Sequence, residues 1–200
     1  HGPHAVTQFV ALAEKARREG LLALEADAQA LADPFARKGM MLVVDGTDPE
    51  LVHTILESEI DAMAERHEGG IQLFEAMGGF CPTMGVLGTV MGLVVVLGHL
   101  NEPEKLGESI AVAFIATLYG VGFANIIFLP LATKLKAFSK EEQHERYLIM
   151  TGILAVQAGD NPRIVREKLD AFLPPSKRGH GDEAGGKGEA AGGGAGRAAA

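Results

Sequence analysis

Two long runs without a charged side chain restrict what this sequence can fold into. From Ala76 to Leu100 there are 25 residues without Asp, Glu, Lys or Arg, and from Ser109 to Thr133 there are 25 more. A bilayer core about 30 Å thick needs about 20 helical residues, so each run is long enough to span one. Between them lie only the eight residues Asn101 to Glu108, net acidic with three Glu against one Lys. Two spans joined so tightly are antiparallel neighbours. The competing reading is a buried hairpin of a soluble protein, but core helices usually carry charge at their edges and seldom stay uncharged over this length. The expected fold class is therefore all-α: a membrane protein with two transmembrane helices and a helical cytoplasmic domain. The expected segments are a cytoplasmic helical domain at 1–75, a transmembrane hairpin at 76–133 with a periplasmic loop at 101–108, C-terminal cytoplasmic helices at 134–175, and a disordered tail at 176–200.

Orientation follows from the flanks. Lys134, Lys136 and Lys140 follow the second run, whereas the short loop carries Glu102, Glu104 and Glu108 against Lys105. The positive-inside tendency then puts the loop outside and both long ends in the cytoplasm, although the segment before the first span is itself acidic.

The spans are rich in small residues. Pro82, Gly85, Thr89, Gly92 and Val96 fall on one helical stripe, with Gly88 beside it, and Ala113, Thr117, Gly120 and Ala124 on another. Small residues let helix backbones approach closely where lipid supplies no hydrophobic drive, so Gly85, Gly88, Gly92 and Gly120 are candidate packing residues. Neither span contains a carboxylate, so if ions cross here the titrating acid comes from a partner. Pro82 and Pro130 each remove a backbone hydrogen bond. The commoner outcome is a fixed bend; the sharper one is a hinge. Thr89 and Thr117 pose a similar choice, since most intramembrane Thr hydroxyls bond their own helix and a minority line an ion path.

Outside the spans, the pattern is helical. Apolar Val6, Phe9, Val10, Ala13 and Leu24 recur within residues 5–31, with a break at Gly20. Asp33-Pro34 is a turn signal, and Val43-Val44-Asp45-Gly46 ends a short segment. Thr47-Asp48-Pro49-Glu50 reads as a cap and first turn. The next helix runs towards the membrane with Val52, Ile55, Leu56, Ile60 and Met63 apolar and an acidic opposite face. After the second span a helix continues to about Gln157, and Asp160-Asn161-Pro162 caps one more, ending before Pro174-Pro175. From Ser176 onward the Gly, Ala and charge-rich composition cannot bury a core.

Several functions are excluded by composition or want of motif. A formal charge of -8 argues against a nucleic-acid partner. A lone Cys81 forms no disulfide within the chain. There is no phosphate-cradling loop, no HExxH and no paired metal ligands; His67-Glu68 point to different helix faces and read as solvated. No enzyme, cofactor or metal is expected. The chain opens at His1 with HGPHAV, without an initiator Met, and reads as a piece of a longer protein. His1 to His4 are either an appended remnant or the point of truncation.

The motifs resemble a known family. ARREGLLALE (Ala16 to Glu25), followed by AD, PF, KGM and VDG, resembles the cytoplasmic segment of MotA-type flagellar stator proteins. ESEIDAMAERHEGG leading into FCPTMGVLGTVMGL is similar to the same family, as are AFIATLYGVGFANIIFLPLATKLK and QAGDNPRIVREKLDAFLPP. The resemblance covers Thr7 to Pro175 and leaves out the tail. It implies four membrane helices, of which the two here match the third and fourth. It further implies a multi-pass subunit of the bacterial inner membrane, assembled as a homo-pentamer around MotB-type chains. Those chains supply the ion-binding Asp and the peptidoglycan anchor. A translocated proton or sodium ion would then drive torque on the FliG ring of the rotor. Carried over by motif, Arg17 and Glu25 match the rotor-contacting charges. Pro82, Thr89, Thr117 and Pro130 match positions of the ion path and its coupling. At the position of Thr89, sodium-type relatives often carry Thr where some proton-type relatives carry Ala. This leans only weakly towards sodium, because proton-driven complexes also place Thr there, and the ion stays open. Two rivals are carried forward: an ExbB/TolQ-type energiser of envelope transport, and a passive membrane scaffold surrounded by lipid. A membrane enzyme is more distant, for want of any reactive constellation.

Overall fold

A computed structural model describes residues 2–179 as an all-helical chain, without strands among the described residues. The expected tail therefore lies, beyond Gly179, outside the described residues, as does His1. In chain order the elements are α1 (Gly2–Glu19), a 3-10 turn (Leu21–Leu24), α2 (Glu25–Gln29), α3 (Pro34–Val44) and α4 (Pro49–Gly98). They are followed by α5 (Pro103–Gly122), a π-helical turn (Phe123–Phe128), α6 (Leu129–Gln157), α7 (Pro162–Asp170) and a 3-10 turn (Pro175–Lys177).

Local chemistry sets these boundaries. α1 stops where Gly20 takes φ 88°, in the left-handed region that side-chain-bearing residues avoid. Asp33 does more than turn the chain. Its carboxylate accepts a hydrogen bond from the Phe35 amide at 2.9 Å, so Asp33 caps α3, with Pro34 in the first turn. Asn161 caps α7 in the same way through the Arg163 amide at 3.0 Å, ahead of Pro162. Asp48 occupies the capping position of α4, but its side chain makes no capping bond. There the start is defined by Pro49, whose missing N–H leaves no donor orphaned.

α4 runs without interruption from the helical core through the first charge-free run to Gly98, and the 75/76 segment boundary falls inside it. Its 50 residues extend about 75 Å at 1.5 Å per residue, more than twice the thickness of a bilayer core. α6 is the matching strut on the return, carrying the chain from the second span to Gln157. These two helices connect a membrane part to a closed helical core.

The part outside the spans has a closed apolar core. Phe9, Leu24, Phe35, Met40, Leu56 and Ile153 are each at most 2% exposed. The expected apolar positions Val6, Phe9, Val10, Ala13 and Leu24 are all buried, as are Val52, Leu56, Ile60 and Met63 on α4. Helices α1, α3 and α7 gather on α6, with α4 closing the side. Gly152 of α6 lies under the Phe9 ring, where an added Cβ would fall 2.8 Å from a ring carbon.

The membrane part is the reverse. Only 11% of the most apolar window of either long helix is buried. Phe80, Met84, Leu97, Phe114, Leu118 and Ile126 are all more than 60% exposed. A soluble protein cannot present that much contiguous apolar surface to water, whereas lipid accepts it. This outcome removes the buried-hairpin reading.

Candidate functional site

The small-residue stripes of α4 and α5 face one another. A Cβ built on Gly120 would sit 2.6 Å from the Cys81 carbonyl oxygen and 2.8 Å from the Gly85 Cα. One on Gly85 would meet the Ala116 carbonyl oxygen at 3.0 Å, and one on Gly92 the Ala113 Cα at 3.0 Å. Gly88 abuts the Ala116 methyl. Gly85, Gly88, Gly92 and Gly120 thus bring two backbones into direct contact, and three of the four meet main-chain atoms that cannot swing aside.

Into that seam the two threonines project together. The hydroxyls of Thr89 and Thr117 are in hydrogen-bonding contact across the helices. Thr89 also has the Ala113 carbonyl of α5 at 2.9 Å and its own helix's Gly85 carbonyl at 3.1 Å, and Thr117 reaches towards the Gly85 carbonyl at 3.5 Å. Two hydroxyls own two protons, and three acceptors compete for them. One satisfied arrangement has Thr89 donating to the Ala113 carbonyl while Thr117 donates to the Thr89 oxygen. Intrahelical bonding, the commoner outcome from sequence, is thus only part of the pattern. The hydroxyls form an interhelical pair between two runs that carry no Asp, Glu, Lys or Arg. Beside the seam an open apolar groove of about 450 Å³ is lined by residues that include Phe80, Met84, Gly85, Gly120 and Phe128.

The prolines occupy different settings. Pro82 is half-buried within unbroken α4, one residue from the Cys81 carbonyl that touches Gly120. Pro130 follows the π-helical turn Phe123–Phe128, where the Leu129 amide reaches back five residues to the Ala124 carbonyl. The proline ring would clash with the carbonyl four residues earlier, and one extra residue per turn relieves that clash. The wider turn brings Leu129 against Gly78: a Cβ there would lie 2.6 Å from the leucine side chain. Sequence reading missed this turn; its signal was Pro130 itself, at the end of an apolar run with no glycine after Gly122.

Arg17 and Glu25 lie apart from all of this, exposed on α1 and at the start of α2. Among the described residues neither forms an ion pair. Their neighbours do: Lys15 of α1 donates to Asp27 of α2 at 2.6 Å. That hydrogen bond, with the attraction of the same carboxylate, holds the Lys15 pKa above its ordinary value. The helix pair flanking Gly20 is thereby tied, leaving Arg17 and Glu25 free on its surface.

His67 corrects a sequence expectation. It is not simply solvated, because its Nδ1 lies 3.0 Å from the buried Ser139 hydroxyl and its Nε2 3.6 Å from Glu142, both on α6. The two partners are 72 and 75 positions away in sequence, so no local pattern could have announced them. No group of three or more metal-ligating side chains occurs among the described residues.

Comparison with known proteins supplies the remaining observation. A family model described as the MotA/TolQ/ExbB proton channel family matches residues 27–147. A Motility protein A of Borreliella burgdorferi is 47% identical over 170 residues, 85% of this chain and 65% of the relative. A Motility protein A of Treponema phagedenis is 43% identical over 178 residues, covering 89% of this chain and 69% of the relative. The chain thus spans a little under two thirds of the first of these proteins. The MotAB structure of C. jejuni superimposes with a TM-score of 0.82 at 33% identity, covering 92% of this chain and 70% of that one.

Proposed function

This chain belongs to the MotA/TolQ/ExbB proton channel family, and from that premise we propose that it works as a stator subunit of the bacterial flagellar motor. In this reading it sits in the inner membrane, multi-pass, and pairs with a MotB-type chain. Proton or sodium flow through that complex is converted into torque on the FliG ring. The chain itself carries no catalytic step. Several copies, a pentamer by resemblance, surround the partner's helices.

The observation that carries the reading is the Thr89–Thr117 hydroxyl pair, set between the two charge-free runs of a hairpin that continues into a cytoplasmic domain. Hydroxyls can exchange hydrogen bonds with a passing hydrated ion or with a partner's carboxylate, but they cannot hold a net charge. An ion-binding acid must then be donated from outside the chain, which fits a two-component complex. The relatives named for motility favour the stator over an ExbB/TolQ-type energiser and over a passive scaffold. Arg17 and Glu25, exposed and unpaired, suit a rotor contact that must release repeatedly, since exposed ion pairs contribute less than about 1 kcal/mol each.

The reading is tested in the full-length protein expressed in a motile bacterium lacking its own stator. Pro82→Leu should abolish swimming while co-purification with the partner stays at the wild-type level. Normal swimming in that variant would remove Pro82 from the coupling path. Failure of the wild-type chain to restore any motility would remove the stator assignment.

A further inference from the structure

We propose that Gly69-Gly70 is a compliant point in α4, clamped to α6 by a side-chain bridge on either side, and that His67 is the positioning residue of that clamp. The functional consequence rests on the stator reading above; the structural content does not. α4 holds two adjacent glycines between the cytoplasmic core and the first span. A Cβ on either would meet nothing within 4 Å, as at Gly79 and Gly98, so no close approach within this chain accounts for their size. Gly78, Gly85 and Gly92 of the same helix each lie against a neighbour. Glycine is the freest backbone in a helix, and glycine pairs are recurrent sites of bending.

The two bridges bracket this weak turn. On the core side, His67 meets Ser139 and Glu142 of α6. Ser139 is 7% exposed and also accepts from Gln143 Nε2 at 3.1 Å. Glu142 continues to Arg146 at 3.4 Å, and the Arg146 guanidinium lies 4.9 Å from the ring centre of Phe35, a core residue of α3. With the proton of the ring on Nε2, Ser139 donates to Nδ1 while Nε2–H points towards Glu142 at 3.6 Å. On the membrane side, the Lys136 ammonium of α6 donates to Glu75 of α4. His67 and Glu75 are about 12 Å apart along the helix, with the glycine pair between them.

With both bridges in place, α4 delivers movement of the membrane hairpin to the cytoplasmic domain as a stiff lever. Without the His67 bridge, the glycine turn bends and absorbs it. Alanine at the two glycines has room and stiffens the helix, so it offers a compensating change that a merely structural histidine would not answer to.

The experiment uses the full-length protein with its membrane partner. Torque is read from tethered cells, and amide exchange over residues 64–75 from the purified complex. His67→Ala should speed that exchange about tenfold, as loss of one net hydrogen bond would, and lower torque severalfold. His67→Gln keeps a bond to Ser139 and should retain most of both. Adding Gly69→Ala with Gly70→Ala to His67→Ala should restore slow exchange and torque. Unchanged exchange in His67→Ala, or no recovery on adding the alanine pair, would overturn the clamp. If His67→Ala does not accumulate, Lys136→Met breaks the opposite bridge and is read against the same two outcomes. A wild-type chain that drives no rotation would sink the stator reading alone, because the exchange results still decide the clamp.

Discussion

At the scale of single residues, the hydrogen bond between Thr89 and Thr117 makes a quantitative demand. Each hydroxyl is partnered in part by the other, so removing both loses less than the sum of removing each. Thr89→Val and Thr117→Val should each destabilise the hairpin by about 0.5–1.5 kcal/mol in a membrane unfolding assay, with a coupling energy of roughly 0.6 kcal/mol or more in the double variant. Additivity within about 0.3 kcal/mol would mean that the two do not interact. Lys15 makes a different demand, in pH. Its pKa is raised by the hydrogen bond to Asp27, so the contribution is complete below the ordinary lysine value of 10.5 and is lost as pH rises through the folded value above it. The stability difference between wild type and Lys15→Gln should therefore stay flat from neutral pH to 10.5 and close above that. Added salt should narrow it throughout, because the pair is partly exposed.

At the scale of elements, the α4–α5 seam depends on glycine where main chain meets main chain. Gly120→Ala would force its methyl onto the Cys81 carbonyl and the Gly85 Cα. The helices must then part, at about 1–3 kcal/mol by analogy with overpacked cores, and the Thr89–Thr117 contact lengthens with them. Gly98→Ala meets nothing within 4 Å and serves as the control. Comparing the two variants' resistance to denaturant in detergent checks this: equal stability would show that the seam tolerates separation. The seam was legible in sequence because small residues recurred at helical spacing on both spans. The π-helical turn was not, because a single proline in an apolar run fits a plain kink as well as an inserted residue. The choice between them lies in how Leu129 packs on Gly78.

At the scale of the whole molecule, two struts join a lipid-facing hairpin to a closed helical core. If the acidic loop lies outside and the lysine-bearing end of α6 inside, single cysteines at Glu104 and Lys140 should label from opposite faces of the membrane. In intact cells of a Cys81→Ala background, a membrane-impermeant thiol reagent should then modify Glu104→Cys and spare Lys140→Cys. The reverse pattern would invert the orientation. What sequence by itself determined was everything governed by local rules. Charge-free length marked the two helices long and apolar enough to cross a membrane, apolar periodicity found the core faces at Phe9, Leu24, Leu56 and Ile60, and Gly20, Asp33-Pro34 and Asn161-Pro162 marked helix ends. Only the tertiary structure decided which distant side chains meet: Thr89 with Thr117, His67 with Ser139, and Lys136 with Glu75. The physical reason is that a helix boundary depends on a few consecutive residues, whereas a contact between helices depends on the rotation and register of both. Those are set by the packing of the entire seam, which no short stretch of sequence encodes.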